Sequence, residues 1–169
     1  DEERLIKLKL ADVLVNCGQG KKAAELYMVA AEGQEEVERL RCEVLAGSQF
    51  LFAGYIPEGL EAMERVMADI GESMPKSSKG ALLSLLWNRL KLKLRGRKWK
   101  ERKESSVSSE EMRRLEIYKV ISLSMSMVDH LRGADFQVRG LLLAFSIGNA
   151  KRLGPAVAAE ACFIATQGG

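Results

Sequence analysis

The sequence predicts an all-α protein, an α-solenoid of antiparallel helical hairpins with about eight helices. Apolar residues recur at the three- and four-residue spacing of a helix face, and no stretch shows the sustained alternation of a strand. Leu, Ala, Glu, Lys and Arg are abundant, and only three prolines occur among 169 residues, which favours helix. An internal repeat in the first half is the third observation.

Glycines and a proline divide the first half into four predicted helices. Gly33 is suited to a left-handed helix end. Pro57 is suited to a first helical turn, where its missing N–H would be unpaired anyway. The first helix ends near residues 17–20, and the others cover 23–31, 35–53 and 57–70.

The second half is predicted to contain four more helices and a charged loop near 96–107. Ser108 and Glu111 match a capping box at the start of the sixth helix. Asp135 is the expected N-cap of the seventh helix, after a turn at 132–135. The predicted helices are 78–95, 108–128, 135–147 and a last one that begins near Lys151, or at Pro155 if Gly154 interrupts it.

The repeat places corresponding residues 36 positions apart. Small residues on both helices of a hairpin allow a close approach, and a bulky residue fills the groove between hairpins. Because a lone hairpin cannot bury its apolar face, such hairpins stack into a solenoid. The pairs are Ala11 and Gly47, Leu14 and Phe50, Gly18 and Gly54, Ala23 and Gly59, Tyr27 and Met63, and Ala30 and Val66.

This first region resembles the tetratricopeptide repeat (TPR) family. Its step of 36 residues is close to the family's usual period of about 34. The resemblance implies two TPR-like hairpins over 1–71, and we expect divergent hairpins over 72–169 to continue the same right-handed solenoid. The matching motifs are Leu10-Ala11-x-x-Leu14 with Ala23-x-x-x-Tyr27-x-x-Ala30, and Ala46-Gly47-x-x-Phe50 with Gly59, Met63 and Val66.

Three motifs in the later half carry a second resemblance. They are Leu85-Leu86-Trp87-x-Arg89-x-Lys91-Leu92-x-Leu94-Arg95-Gly96, Ser124-Met125-Ser126-Met127-Val128-Asp129 and Arg132-Gly133-Ala134-Asp135-Phe136-Gln137. These motifs resemble those of large bacterial signalling proteins that join a serine/threonine kinase domain to an AAA-type ATPase domain and a helical-repeat tail. The resemblance implies that this chain is the helical-repeat part of such a kinase-related protein, so we expect a fragment of a longer chain.

The sequence contains no catalytic motif that we recognise. Kinase motifs and a phosphate-binding loop are absent, and His130 is the single histidine. We therefore expect no catalytic, cofactor-binding or metal site in this chain. Three cysteines without a CxxC pair, and apolar runs far shorter than the roughly 20 residues of a membrane span, predict a cytoplasmic protein that does not cross a membrane.

A basic stretch is the most distinctive polar feature. Its simplest interpretation is a solvated helix end and loop, and the alternatives are contact with an acidic protein partner or within the domain, or binding of nucleic acid or an anionic membrane. A net charge of +3 adds little support for nucleic acid. The basic patch consists of Arg89, Lys91, Lys93, Arg95, Arg97, Lys98 and Lys100.

Protein–protein interaction is the leading functional hypothesis. The first helices of the hairpins would form a concave face for a protein or peptide partner, or for neighbouring domains of the parent chain. The alternatives are nucleic-acid binding through residues 89–103 and a purely structural spacer. The candidate groove residues are Lys9, Asn16, Glu43 and Gln49.

Overall fold

The computed structural model describes residues 2–96 and 98–166, which contain eight α-helices and no strand. The all-α prediction is therefore confirmed for the described residues. The chain divides into two compact units, Asp1–Met74 and Pro75–Gly169. The helices are α1 Glu2–Asn16, α2 Gly20–Ala31, α3 Glu36–Phe52, α4 Ile56–Asp69, α5 Ser78–Arg95, α6 Ser109–Ser126, α7 His130–Ile147 and α8 Ala150–Thr166, with a short 3₁₀ turn at Glu104–Ser106.

In the first unit each helix packs against its neighbours in the chain, α1 on α2, α2 on α3 and α3 on α4. The 36-residue step recurs in the backbone of the two turns. Gly18 and Gly54 have φ angles of 70° and 83°, a left-handed conformation that glycine adopts without strain. The corresponding hydrogen bonds run from Gln19 N–H to Leu14 O at 2.9 Å and from Tyr55 N–H to Phe50 O at 2.8 Å.

Small residues bring the paired helices of this unit together. A Cβ atom added to Gly59 would lie 2.6 Å from Leu51 Cγ and 3.0 Å from the Gly47 carbonyl oxygen. The second hairpin therefore depends on glycine at a position where the repeat predicted a small residue. One buried cluster of the unit joins α1, α2 and α3 and consists of Ala11, Ala23, Ala24, Tyr27 and Ala46.

In the second unit, α7 is the central helix and packs against α5, α6 and α8. The predicted capping box before α6 is confirmed, because Glu111 N–H donates to Ser108 Oγ (3.1 Å) and Ser108 N–H donates to Glu111 Oε2 (2.9 Å). The Ser108 N–H holds the pKa of the Glu111 carboxyl below its ordinary value. α8 begins at Ala150 and continues through Gly154 and Pro155, so the earlier of the two predicted starts is the better one.

The predicted start of α7 is wrong. The helix begins at His130, and the N-cap is Asp129, whose Oδ1 accepts the N–H groups of Leu131 and Arg132 at 3.1 Å. Gly133 lies inside the helix, where a Cβ atom would approach the backbone N of Ser126 to 2.7 Å. The glycine therefore permits α7 to cross α6, and it does not form the turn that the sequence predicted.

None of the helices in the described ranges is both long and apolar enough to cross a membrane.

We predict that Gly133→Ala lowers the stability of the protein. The added methyl group would press on the backbone of α6, and overpacking of this kind costs about 1–3 kcal/mol. Gly140→Ala is the matched control on the same helix, because its Cβ would make an ordinary 3.5 Å contact with Tyr118 Cβ. We expect the control to be neutral or stabilising by up to about 1 kcal/mol. Urea unfolding followed by circular dichroism checks both values, and equal effects would contradict the assigned role of Gly133.

Candidate functional site

The four predicted groove residues lie in different environments in the first unit. Glu43 is buried on α3, where its carboxylate pairs with Arg39 at 3.2 Å. Arg39 also contacts Asp69 of α4 at 2.8 Å, so the Glu43 carboxylate belongs to a polar link between α3 and α4. The role of all four residues in binding stays a prediction. Lys9 and Asn16 are exposed on α1, and Gln49 is half-buried on α3.

A buried carboxylate fixes α5 on α7 in the second unit. Asp135 is fully buried and accepts hydrogen bonds from Ser84 Oγ at 2.9 Å and from Asn88 Nδ2 at 2.8 Å, both on α5. On its own helix it pairs with Arg139 Nη2 at 2.9 Å. A buried charge with this many partners is well compensated, and removal of any partner is costly. The contacts hold the Ser84–Asn88 face of α5 inward.

The opposite face of α5 is apolar and exposed. Its five residues are 44–78% exposed, although all of them are large. Four of them are separated by four, three and four positions and the fifth adjoins one of these, which places all five along one side of the helix. A contiguous apolar surface of this kind is unusual in a soluble protein and is typical of an interaction site. We call this surface the α5 ridge, formed by Leu83, Leu86, Trp87, Leu90 and Leu94.

Two arginines of the basic stretch bind the C-terminal end of α7. Arg95 Nη2 donates to Phe145 O at 3.1 Å, and its guanidinium lies 4.3 Å from the centre of the Phe145 ring. Arg102 donates to Ser146 O at 3.4 Å through Nη1 and to Gly148 O at 2.7 Å through its backbone N–H. The last carbonyls of a helix lack intrahelical partners and carry partial negative charge, so cations stabilise them. These arginines therefore serve contacts within the unit, one of the alternatives that the sequence left open.

The other residues of the basic patch have several environments. Lys91 Nζ lies 5.4 Å from the centre of the Trp87 ring, so a cation lies at the edge of the apolar α5 ridge. Arg89 pairs with Glu160 of α8 at 3.0 Å. Arg97 lies outside the described residues. Lys93, Lys98 and Lys100 are exposed.

Beside the ridge, α5, α7, α8 and the loop after α5 enclose a mainly apolar groove of about 750 Å³. Glu160 lies in its wall and is only 7% exposed. Burial raises the pKa of the Glu160 carboxyl above its ordinary value, and the nearby Arg89 guanidinium opposes this rise. Trp99 and Lys93 also line the groove, so it combines an apolar interior with cationic neighbours.

In the described part of the chain no three His, Cys, Asp or Glu side chains form a group that could hold a metal ion. Comparisons with protein-family models, with curated protein sequences and with solved structures gave no match to this chain.

The α5 ridge was not predicted as a site from the sequence, although its signal is present. Leucines and a tryptophan recur at helical spacing, while Ser84 and Asn88 occupy the other side of the same helix. A polar pair normally marks the solvent face, and here it marks the buried face because Asp135 receives it. The burial of this polar pair depends on Asp135, which is 47 positions away from Asn88 in the chain.

We predict that Asp135→Asn destabilises the protein strongly. The substitution keeps the shape of the side chain but removes the negative charge beside Arg139, and breaking a buried ion pair costs about 3–5 kcal/mol. Asp69→Asn removes a partly exposed partner of Arg39 and should cost less than about 1 kcal/mol. The free energy of unfolding in urea measures both, and a similar small loss for the two variants would show that Asp135 does not anchor α5.

Proposed function

We propose that this chain is a non-catalytic protein-interaction module that binds a protein partner through the α5 ridge. The observation that carries the proposal is the exposure of five large apolar side chains on one face of a helix whose other face is anchored in the unit. Burial of such a surface is the main favourable term in protein association.

The ridge has the composition of an interface centre. Tryptophan is enriched among the residues that dominate binding energy, and Trp87 lies in the middle of the ridge with Leu86 and Leu90 around it. Interface rims are typically polar, and Lys91 next to Trp87 fits this arrangement. An apolar partner surface edged by Asp or Glu would complement both features.

Rigidity supports the same proposal. Because Ser84 and Asn88 are bound to Asp135, α5 needs little rearrangement to present the ridge to a partner. A surface that is already in its binding conformation loses less conformational entropy on association. The Asp135 contacts therefore favour binding without contacting the partner.

Nucleic-acid binding through residues 89–103 receives less support from the contacts. Arg95 and Arg102 are engaged with carbonyl groups of α7, and Arg89 is engaged with Glu160. Arginine is the side chain best suited to bind phosphate in a bidentate manner, and these three have other partners. Lys93, Lys98 and Lys100 are left as the exposed described cations of the basic patch besides Lys91.

We further propose that the module is TPR-like and belongs to a bacterial kinase-related signalling protein, where it would bind a partner or a neighbouring domain. The support is the recurring hairpin turn for the first point and the motifs in 85–137 for the second. The coding sequence on both sides of this region provides the test. We expect an extended reading frame with kinase motifs and a phosphate-binding loop. A reading frame that closes without them would overturn the kinase-related setting.

We predict that Leu86→Glu combined with Leu90→Glu abolishes binding of the partner. Both leucines are exposed, so the fold should be retained, while a charge in an apolar interface is costly to desolvate. Leu123→Glu on α6 is the matched control, because Leu123 is also exposed at 58% but lies outside the ridge. Quantitative affinity purification of the three proteins from the source cells is the measurement, with circular dichroism to confirm folding.

The expected result is at least one protein that is retained by the wild-type chain and by the control and lost by the double variant. Binding of the purified partner should then weaken at least about a hundredfold with the double variant. Identical sets of bound proteins would support a structural spacer instead. Bound material that nuclease removes, and that Lys98→Glu reduces, would support the nucleic-acid alternative.

A further inference from the structure

The groove between α5, α7 and α8 has the properties of a small-molecule site. Its volume of about 750 Å³ lies within the range of about 300–1,000 Å³ that is typical of ligand pockets. All of its lining residues belong to the second unit. The large aliphatic and phenyl side chains of the lining are Leu92 of α5, Leu141 and Phe145 of α7, and Leu153, Val157 and Ile164 of α8.

The apolar lining extends along the helices. Leu153, Val157 and Ile164 are separated by four and seven positions, so they follow one side of α8. At a rise of 1.5 Å per residue, the helix from the first to the last of them is about 16 Å long. An unbranched aliphatic chain of about ten carbons fits within this length.

The loop after α5 contributes Trp99 to the wall of the groove. Arg95 Nη1 donates to Lys98 O at 3.0 Å on one side of this residue. On its other side, the Arg102 N–H donates to Gly148 O at 2.7 Å. These bonds hold the loop beside the end of α7. The groove therefore needs little rearrangement to receive a ligand, which favours binding.

Three charged side chains line the groove, and their balance is positive. Arg89 and Lys93 of α5 are cations, and Glu160 of α8 is the single anion among the lining residues. Glu160 pairs with Arg89 at 3.0 Å, yet Nη2 of Arg89 is buried without a hydrogen-bond acceptor. Lys93 is exposed and has no acidic partner in the described ranges of the chain. One positive charge at the groove is therefore uncompensated.

This lining is complementary to a molecule with an aliphatic chain and one anionic group. A carboxylate beside Lys93 would form a charge-assisted hydrogen bond with its ammonium group. Arg89 is four positions before Lys93 on the same helix, so the carboxylate would lie near both cations. An alcohol of the same chain length would gain the apolar contacts alone, and an amine would be repelled by Lys93.

We propose that the groove binds a free fatty-acid anion, with its aliphatic chain along Leu141, Leu153 and Val157 and its carboxylate beside Lys93. The groove shares no residue with the α5 ridge, and this role goes beyond the protein interaction proposed for that ridge. For a ten-carbon acid the dissociation constant should be on the order of 10–100 µM.

Isothermal titration calorimetry of the purified chain with decanoate, decan-1-ol and decylamine tests this proposal. The three molecules have the same chain length and differ only in the head group. Decanoate should bind at least about tenfold more tightly than decan-1-ol, and decylamine should bind most weakly. No binding of decanoate, or equal or tighter binding of either other molecule, would overturn the fatty-acid assignment.

Lys93→Ala tests the position of the head group. It should weaken decanoate binding at least about fivefold and leave decan-1-ol binding unchanged, because it removes the charge and keeps the apolar walls. Lys79→Ala is the matched control, since Lys79 is exposed on the first turn of the same helix and does not line the groove. An equal loss in both variants would indicate only general attraction to a basic protein and would contradict the proposed contact.

Glu160→Gln should have the opposite effect on decanoate. The substitution removes the negative charge from the wall of the groove, so decanoate should bind about two- to fivefold more tightly while decan-1-ol binding stays the same. Because Glu160 is buried, urea unfolding establishes that this variant is folded before its affinity is compared. An unchanged affinity of the folded variant for decanoate would place the carboxylate away from this end of the groove.

Ala161→Phe tests the groove itself. Ala161 lines the groove and is exposed, so a larger side chain there should fill the cavity and leave the fold intact. Binding of both decanoate and decan-1-ol should be lost. Decanoate binding that survives this substitution would show that the ligand lies on another apolar surface, such as the α5 ridge, and would overturn the groove as the site.

Discussion

The buried carboxylate of Asp135 is the interaction on which the arrangement of the second unit depends. It accepts hydrogen bonds from Ser84 and Asn88 of α5 and pairs with Arg139 of its own helix. A charge inside a protein is tolerated only with such partners, so Ser84 and Asn88 lie on the inward side of α5, which also carries the buried Leu85. The α5 ridge is the side of the helix that remains exposed.

Local signals in the sequence predicted most of the fold. The helix ends at Gly18 and Gly54, the left-handed Gly33 and the capping box at Ser108 depend on a few neighbouring residues, and they were predicted correctly. Gly133 was misread because a glycine serves a turn and a helix crossing equally well. Only the approach of Ser126, on another helix, distinguishes the two.

The candidate site was less predictable for the same reason. The sequence indicated a basic stretch, but it could not show that Arg95 and Arg102 are engaged at the end of α7, since their acceptors lie more than 40 positions away. On α5 the sequence pattern favours the wrong side as the exposed one, because Ser84 and Asn88 would ordinarily face solvent. Tertiary contacts decide which side of a helix is buried and which is exposed, and the periodicity of the sequence alone does not fix this choice.

The order of contacts along the chain also bears on how the two units fold. In the first unit every main contact joins consecutive helices, so each hairpin closes a short loop. In the second unit α5 packs on α7, and α6 and the charged loop lie between them in the chain. The chain loses conformational entropy in closing the loop before a non-local contact can stabilise it, and folding rates therefore fall as contact order rises. The first unit therefore has the topology of a fast folder, while α5 acquires its native partner only after α7 has formed.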